Sequence, residues 1–295
     1  MKMYIERHAA HAGKWIYEGY KSAWESIGYD CEFINVKNFD PKEKEYDIMT
    51  LDGAIDYGNL KILEQARRAY LYVQPTTFPE PWGSHPNFVS LCPPEIIQPV
   101  NDMENVYKWS FAKITDYHDK WSHVNSIPLA FDSNAYRAVE DKSFQFDVCY
   151  VGGWANNGFD EKRKIMVEHF KEFKDSGLKC GFFINKGLTH EQENKVLYNS
   201  KVAINIHDAY QRKLGLDTNE RTFKSLGLTG LLVSDNVSHI KEILPEVLIS
   251  ENPKHMKEMV LNVLEQDVEE TRERNRENIM SNHTYISRVK QMEEL

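Results

Sequence analysis

Metal-dependent hydrolysis, P-loop phosphoryl transfer and triad hydrolysis all lack their residues in this chain. It has no HExxH, no Walker A run, no EF-hand loop, no GxSxG elbow and no clustered Cys and His. Cysteine is scarce: Cys31, Cys92, Cys149 and Cys180 lie far apart, with no CxxC spacing. That argues against a structural zinc site. Cys31, Cys149 and Cys180 sit in or beside apolar strand-like runs and read as small buried hydrophobes in a reducing compartment. No apolar run approaches the length of a membrane span, and MKMYIERHAAHAGKW lacks the apolar stretch of a signal peptide, so the expectation is a soluble, cytoplasmic protein. Low-complexity tracts and short-period repeats are missing too. Positive charge is in deficit. The formal net charge of −9 counts against a broad electrostatic grip on nucleic acid, though it leaves room for a local basic groove.

What is present suits two α/β domains. The length of 295 residues exceeds one small domain, and 41% hydrophobic residues, with 15 Tyr, 14 Phe and 6 Trp, suffice for two cores. In the first half, strands are expected at Lys2–Glu6, Cys31–Val36, Tyr46–Leu51 and Leu71–Gln74. Helices are expected at Lys14–Ile27, which Gly28 stops, and at Leu60–Tyr70. Strands alternating with helices imply a parallel sheet. Pro75–Pro99 carries seven prolines and reads as a long loop, with Trp82 and His85 as candidates to line an acceptor site. Asn125–Leu129 is a further candidate strand, and the polar stretch Ser133–Phe146 reads as a hinge.

The second half repeats the grammar. Strands are expected at Phe146–Val151, Lys179–Ile184, Val202–Ile206, Leu231–Ser234 and Val247–Ser250. The helices between and after them are Glu161–Asp175, His190–Ser200, Thr222–Leu228, Ser238–Leu244, Pro253–Glu265, Val268–Met280 and Tyr285–Glu294. The domains are therefore 1–135, with 282–295 packing back on it, and 136–281. In open sheets of this kind ligands sit at the carboxyl ends of the strands.

The candidate chemistry gathers at those ends. Asn219, Glu220, Arg221 and Thr222 crowd a helix start, where free backbone N–H groups and the helix dipole favour an anion, while Glu220 can accept from a pair of sugar hydroxyls. Ordinary αβ connections with solvated charges look the same in isolation. Gly152 and Gly153, followed by Trp154, stand between a strand and a helix, where missing side chains let a phosphate approach the backbone or simply permit a tight turn. Arg163 near the next helix start is a possible phosphate partner or a solvated surface charge. Asn205 and His207 end the VAINI strand and can meet a base or a sugar hydroxyl. In the first half, His8 and His11 lie after the first strand and Asp52 after the third. His11 and Asp52 are the candidate bases for an acceptor hydroxyl, with a purely structural loop as the alternative.

The run of FDVCYVGGW, SKVAINIHD, NERTFKSLGLTGLLVSD, VLIS and HTYISRVKQM, in that order over about half the chain, resembles the GT-B glycosyltransferases, most closely their spore-maturation (CgeB-like) branch. Trp121–Asp132 is similar to that group's lead-in to its second domain. The resemblance implies two Rossmann-like domains facing across a cleft and a last helix that crosses back to the N-terminal domain. It implies a nucleotide-diphospho-sugar, a UDP-sugar first among them, held mainly by the C-terminal domain, with no cofactor and no metal. By the same resemblance Gly152 and Gly153 approach the diphosphate or sugar, and the 219–224 turn, Lys224 included, holds ribose and phosphate. One departure stands out: many relatives carry Glu after the Phe of this motif, and here Lys224 follows Phe223, leaving Glu220 to take the ribose. The expected activity is transfer of a hexosyl group to a hydroxyl, with a saccharide or glycan as the default acceptor. A hydroxylated base in DNA is the alternative acceptor, not favoured by the net charge. A non-catalytic nucleotide- or sugar-binding protein on the same scaffold is the reading from another class.

Overall fold

The computed structural model describes residues 1–8, 11–154 and 161–295, with only the backbone of His11. The expected loop 155–158 lies outside the described residues. The chain divides into two compact units, one of Met1–Pro128 with Tyr285–Leu295, the other of Leu129–Thr284.

The first unit is built from β1 (Lys2–Glu6), α1 (His11–Ser26), β2 (Asp30–Ile34), β3 (Asp47–Leu51), α2 (Lys61–Gln65), β4 (Arg68–Tyr72), α3 (Pro94–Asn101), β5 (Val106–Ser110) and β6 (Asn125–Ser126). All strand pairs are parallel, in the order β2-β1-β3-β4-β5-β6. A parallel sheet covered on both faces needs unbroken apolar strands, and Met3, Tyr4 and Ile5 of β1 are all buried. On α1, Tyr17, Tyr20, Ala23 and Trp24 recur at helical spacing and are buried, and Gly28 ends the turn at φ +99.

Two expectations in this unit are corrected. The helix expected over 60–70 stops at Gln65, because Ala69, Tyr70 and Leu71 pair between β3 and β5 as a central strand. Tertiary pairing there overrides a weak local helix preference. The proline-rich loop contains α3. Pro94 opens that helix, where a missing N–H costs nothing, and Ile96, Ile97 and Val100 bury its inner face.

The second unit contains β7 (Val148–Gly152), α4 (Glu161–Glu172), β8 (Cys180–Ile184), α5 (His190–Tyr198), β9 (Val202–Asn205), α6 (Ala209–Leu214), α7 (Glu220–Thr229), β10 (Leu232–Asp235), α8 (Ser238–Ile243), β11 (Leu248–Ser250), α9 (Pro253–Leu264) and α10 (Glu269–Asn282). Its parallel sheet runs β11-β10-β9-β7-β8. Val148, Tyr150, Val202, Ile204 and Val233 pack with Met166, Phe173, Met256 and Val260 to form its core.

In both sheets the strand order turns around one gap, between β1 and β3 in the first unit and between β7 and β9 in the second. The connections leaving the strands on either side of such a gap diverge and open a crevice at their carboxyl ends. A final helix, α11 (Tyr285–Glu293), belongs to the first unit. The Tyr285 ring fills the space left by Gly19 and lies 4.8 Å from that of Tyr20. Arg288 Nε donates to Pro128 O at 2.9 Å, and Arg68 Nη1 donates to Glu293 O at 2.7 Å. Among the described residues no helix is long and apolar enough to cross a membrane.

Candidate functional site

The gap between β7 and β9 in the second unit is where most of the expected residues meet. Arg221, the second residue of α7, lies across the end of β7. Its Nε donates to Val151 O at 2.9 Å and its Nη1 to Asn205 Oδ1 at 3.0 Å. The guanidinium also stacks 4.8 Å from the centre of the Tyr150 ring. A Cβ built on Gly152 would stand 2.4 Å from both Nε and Nη2, so this glycine is required by the arginine's position. Nη2 has no hydrogen-bond partner among the described residues, which leaves part of a five-donor fork unclaimed. Gly153 is constrained likewise, since a Cβ there would meet Asn185 Oδ1 at 2.6 Å. That same oxygen accepts from Trp154 N at 3.3 Å.

Asn219 precedes α7 but does not cap it with its side chain. Its Oδ1 accepts instead from Asn205 Nδ2 at 3.1 Å. Thr222 N donates to Asn219 O at 3.1 Å, so the N–H groups of Glu220 and Arg221 are the two at this helix start with no hydrogen bond to a described residue. Asn205 Nδ2 also donates to Thr222 Oγ1 at 2.8 Å. Thr222 donates to Thr218 Oγ1, and Thr218 donates to His207 Nε2 at 2.7 Å. His207 Nδ1 donates to Asp235 Oδ1 at 2.6 Å, and Arg212 Nε lies 3.2 Å from Asp235 Oδ2. This proton order is assigned from the network, because each hydroxyl donates once along it. Asn205, His207, Thr218, Thr222 and Asp235 are all buried. His207 thus braces the crevice from beneath rather than offering a ring nitrogen to it.

Charge distribution follows burial. Desolvation lowers His207 and keeps the ring neutral despite Asp235. Burial opposes ionisation of Asp235, yet hydrogen bonds from the His207 ring and backbone N–H, with the nearby Lys162 ammonium, outweigh it and hold the carboxyl down at about 2. Lys162 on α4 donates to Ile206 O and lies 3.4 Å from Asp208, and burial lowers it to about 8. Asp217 accepts from Gln211 Nε2 at 3.1 Å, and burial raises it to about 6. The sequence reading missed Lys162, Thr218, Arg212 and Asp235. Only Asp235 leaves a trace, as an acid ending an apolar strand.

The remaining expected residues lie nearby in the unit. Arg163 stacks on the Trp154 ring at 5.4 Å. Glu220 is partly buried, and desolvation raises its carboxyl. Lys224 is ion-paired with Glu193 on α5 at 2.8 Å. In the first unit Asp52 follows β3 at the β1/β3 gap and is buried. Its Oδ2 accepts from Gln74 N at 2.9 Å, while Oδ1 has no hydrogen-bond partner among the described residues. Burial raises this carboxyl. The His11 side chain lies outside the described residues. Among the described residues no group of three or more His, Cys, Asp or Glu is placed to hold a metal ion.

A family model described as "Glycosyl transferase-like" matches residues 138–294, just over half of the chain. No curated protein matches it. Among solved structures, T4 phage BGT in complex with its UDP-glucose substrate is similar at 12% identity, over 99% of this chain and 97% of its own, with a TM-score of 0.56. WaaG, a glycosyltransferase involved in lipopolysaccharide biosynthesis, is similar at 9% identity over 100% and 99%, with a TM-score of 0.54. An alpha-glucosyltransferase in complex with UDP and a 13-mer DNA is similar at 12% identity over 100% and 99%, also at 0.54. At these identities the likeness speaks for the fold, which is the α/β, two-sheet GT-B type.

Proposed function

The chain belongs to the glycosyl transferase-like family, and we propose that it moves a hexosyl group from a nucleotide-diphospho-sugar to a hydroxyl acceptor. The observation that carries this reading is Arg221, seated over side-chain-free Gly152 at the β7/β9 gap with Nη2 unclaimed, beside the open N-terminus of α7. We assign the donor to the second unit (136–281 in sequence terms) and the acceptor to the first. UDP is the nucleotide of first choice, supported by the UDP and UDP-glucose bound to two of the similar structures. The order and spacing of the motifs support a place nearest the CgeB-like branch, and the sequence supports a cytoplasmic site of action.

In this mechanism the diphosphate lies over Gly152 and Gly153, with Asn219 and Thr222 at the helix start beside it and Trp154 and Arg163 at the margin. Negative charge grows on the diphosphate as the glycosidic bond breaks. Arg221 and the free N–H groups of α7 are aimed at it beforehand, so they stabilise the transition state without reorganising. That charge compensation makes the proposed reaction metal-independent. On the acceptor side Asp52 or His11 removes the hydroxyl proton; the raised carboxyl of Asp52 suits a base working nearer neutrality.

The test is a thermal-shift screen of UDP-, GDP-, ADP-, CMP- and TDP-sugars, followed by product analysis. A ligand of the native state raises its apparent stability. One family of nucleotide sugars is expected to stand out, and no shift with any of them at millimolar concentration overturns the donor site. Binding without transfer or hydrolysis would instead support a non-catalytic binding protein. A glycan is the proposed acceptor. The alternative, a hydroxylated base in DNA, is favoured by the 13-mer bound to one similar structure. Acceptor binding that falls steeply with salt marks the DNA case.

A further inference from the structure

Lys108, in the middle of β5, is 3% exposed, yet its ammonium has no hydrogen-bond or ion-pair partner among the described residues. The other buried lysines are satisfied: Lys162 by Ile206 O and Asp208, Lys224 by Glu193. An ammonium taken out of water without a partner costs folding free energy. Burial accordingly lowers Lys108, with the charge of Asp102 pulling the other way. A methionine would fill the same space without that cost.

The ammonium opens onto a cavity. Lys108 lines a space of about 380 Å³, and small-molecule sites measure roughly 300–1,000 Å³. Its Nζ is not sealed in, as the unpartnered indole nitrogens of Trp109 and Trp121 are. The space lies at the amino end of the first unit's sheet, opposite the crevice at the carboxyl ends. It exists because β6 pairs with β5 at Trp109 and Ser110 and leaves the edge of residues 106–108 without a neighbouring strand. The walls are tied together. Asn101, at the end of α3, donates from Nδ2 to Lys120 O at 2.8 Å and accepts from Ser122 N at 3.0 Å. Asn125 Nδ2 donates to Lys108 O at 3.3 Å.

Charge is graded across the lining. Lys108 is buried, whereas Asp102, Glu104 and His123 are exposed. Asp102 acts on Lys108 through its charge without forming an ion pair, so the two leave room between them. Asp102 Oδ1 accepts from Gln98 Nε2 at 2.7 Å, and the Glu104 carboxyl has no hydrogen bond to a described residue. A plain anion would meet Lys108 but be repelled by the two carboxylates. A plain amine would leave Lys108 unpaired. An α-amino acid satisfies both ends, because its carboxylate and ammonium are one carbon apart.

We propose that this cavity of the first unit binds a free α-amino acid, its carboxylate on Lys108 and its ammonium towards Asp102 and Glu104. The site is separate from the crevice, and the inference stands whether or not the second unit holds a nucleotide sugar.

The test is calorimetric titration of the full chain with the common α-amino acids. Each one that binds is compared with its 2-hydroxy acid, its decarboxylated amine and inorganic phosphate. At least one amino acid is expected to bind, about tenfold or more tightly than these three. Lys108→Met should weaken it by at least about tenfold, and Asp102→Asn by less. Without ligand, Lys108→Met should unfold at or above the wild-type temperature, because an unpaired buried charge is gone. If that variant does not fold, Asp102→Asn and Glu104→Gln, both at exposed positions, decide through loss of the preference over the hydroxy acid. No binding at millimolar concentration, or affinity unchanged in the variants, overturns the inference. Phosphate or the hydroxy acid bound as tightly as the amino acid overturns it in favour of a plain anion site.

Discussion

A side chain at Gly152 and the guanidinium of Arg221 compete for one space, because the 2.4 Å between a built Cβ and Nη2 is far inside contact distance. Gly152→Ala should therefore displace Arg221 from Val151 O and Asn205 and weaken donor binding by at least about tenfold, with a smaller change in stability. Titrations of donor and urea unfolding measured side by side check this, and equal losses would mark the pair as structural. Glu220→Ala is expected to behave the same way, lowering donor affinity much more than folding stability. Asp217 offers a test by pH. Its folded pKa, raised from 3.8 to about 6, means that the folded state binds more protons than the unfolded state between those values. Stability contributed through this group thus falls as pH rises from about 4 to 6. Asp217→Asn should remove that slope and add up to about 2 kcal/mol at pH 7.5, read from unfolding at pH 4, 6 and 7.5. Asp235 works in the opposite sense. Its contribution is present above 3.8 and is lost as pH falls towards 2.

Among the elements, α7 matters at both ends. At its start the N–H groups of Glu220 and Arg221 have no hydrogen bond to a described residue, whereas its last carbonyls are closed by α10. Arg276 Nε donates to Leu228 O at 2.9 Å, Arg272 Nε to Thr229 O at 2.9 Å and Asn275 Nδ2 to Gly230 O at 2.9 Å. Cationic and amide donors there complement the negative end of the helix dipole. The strongly polar α10 is stabilised by this work rather than by an apolar stripe; only Asn275 and Ile279 are buried on it. Gly227 lets the helices approach, since a Cβ there would lie 2.8 Å from Phe131 and 2.9 Å from Ile279. Asn275→Ala leaves the buried Gly230 carbonyl without this donor and should cost about 1–3 kcal/mol in chemical unfolding. A loss well below that range would show that water replaces the amide.

At the scale of the whole molecule, the chain's last helix stabilises its first unit. Tyr285, Val289 and Met292 of α11 are buried there, each contributing about 1.5–3 kcal/mol. Removing residues 285–295 should therefore destabilise the first unit by several kcal/mol while the second keeps its own core. Limited proteolysis, with cleavage gained in the first unit alone, would report it. Uniform loss of protection would contradict it. The net charge of −9 belongs to this scale as well: with a glycan acceptor, transfer should change little with salt.

The alternation of apolar strands with amphipathic helices was legible from residue order, because burial on both faces of a parallel sheet demands it locally. So were the glycine breaks and the polar ends of the strands. The limits of α2 and the existence of α3 were not. Ala69–Leu71 becomes a strand through its neighbours β3 and β5, and Pro94 opens a helix only because Ile96, Ile97 and Val100 find a core to enter. The sequence by itself determined the fold class and the residue types available at each strand end. Only the tertiary structure decided which of them meet: Arg221 with Gly152 across 69 positions, His207 with Asp235, and Lys224 with Glu193. Periodicity records which face of an element is buried, whereas contacts between elements depend on sheet order and helix approach, which no local pattern encodes.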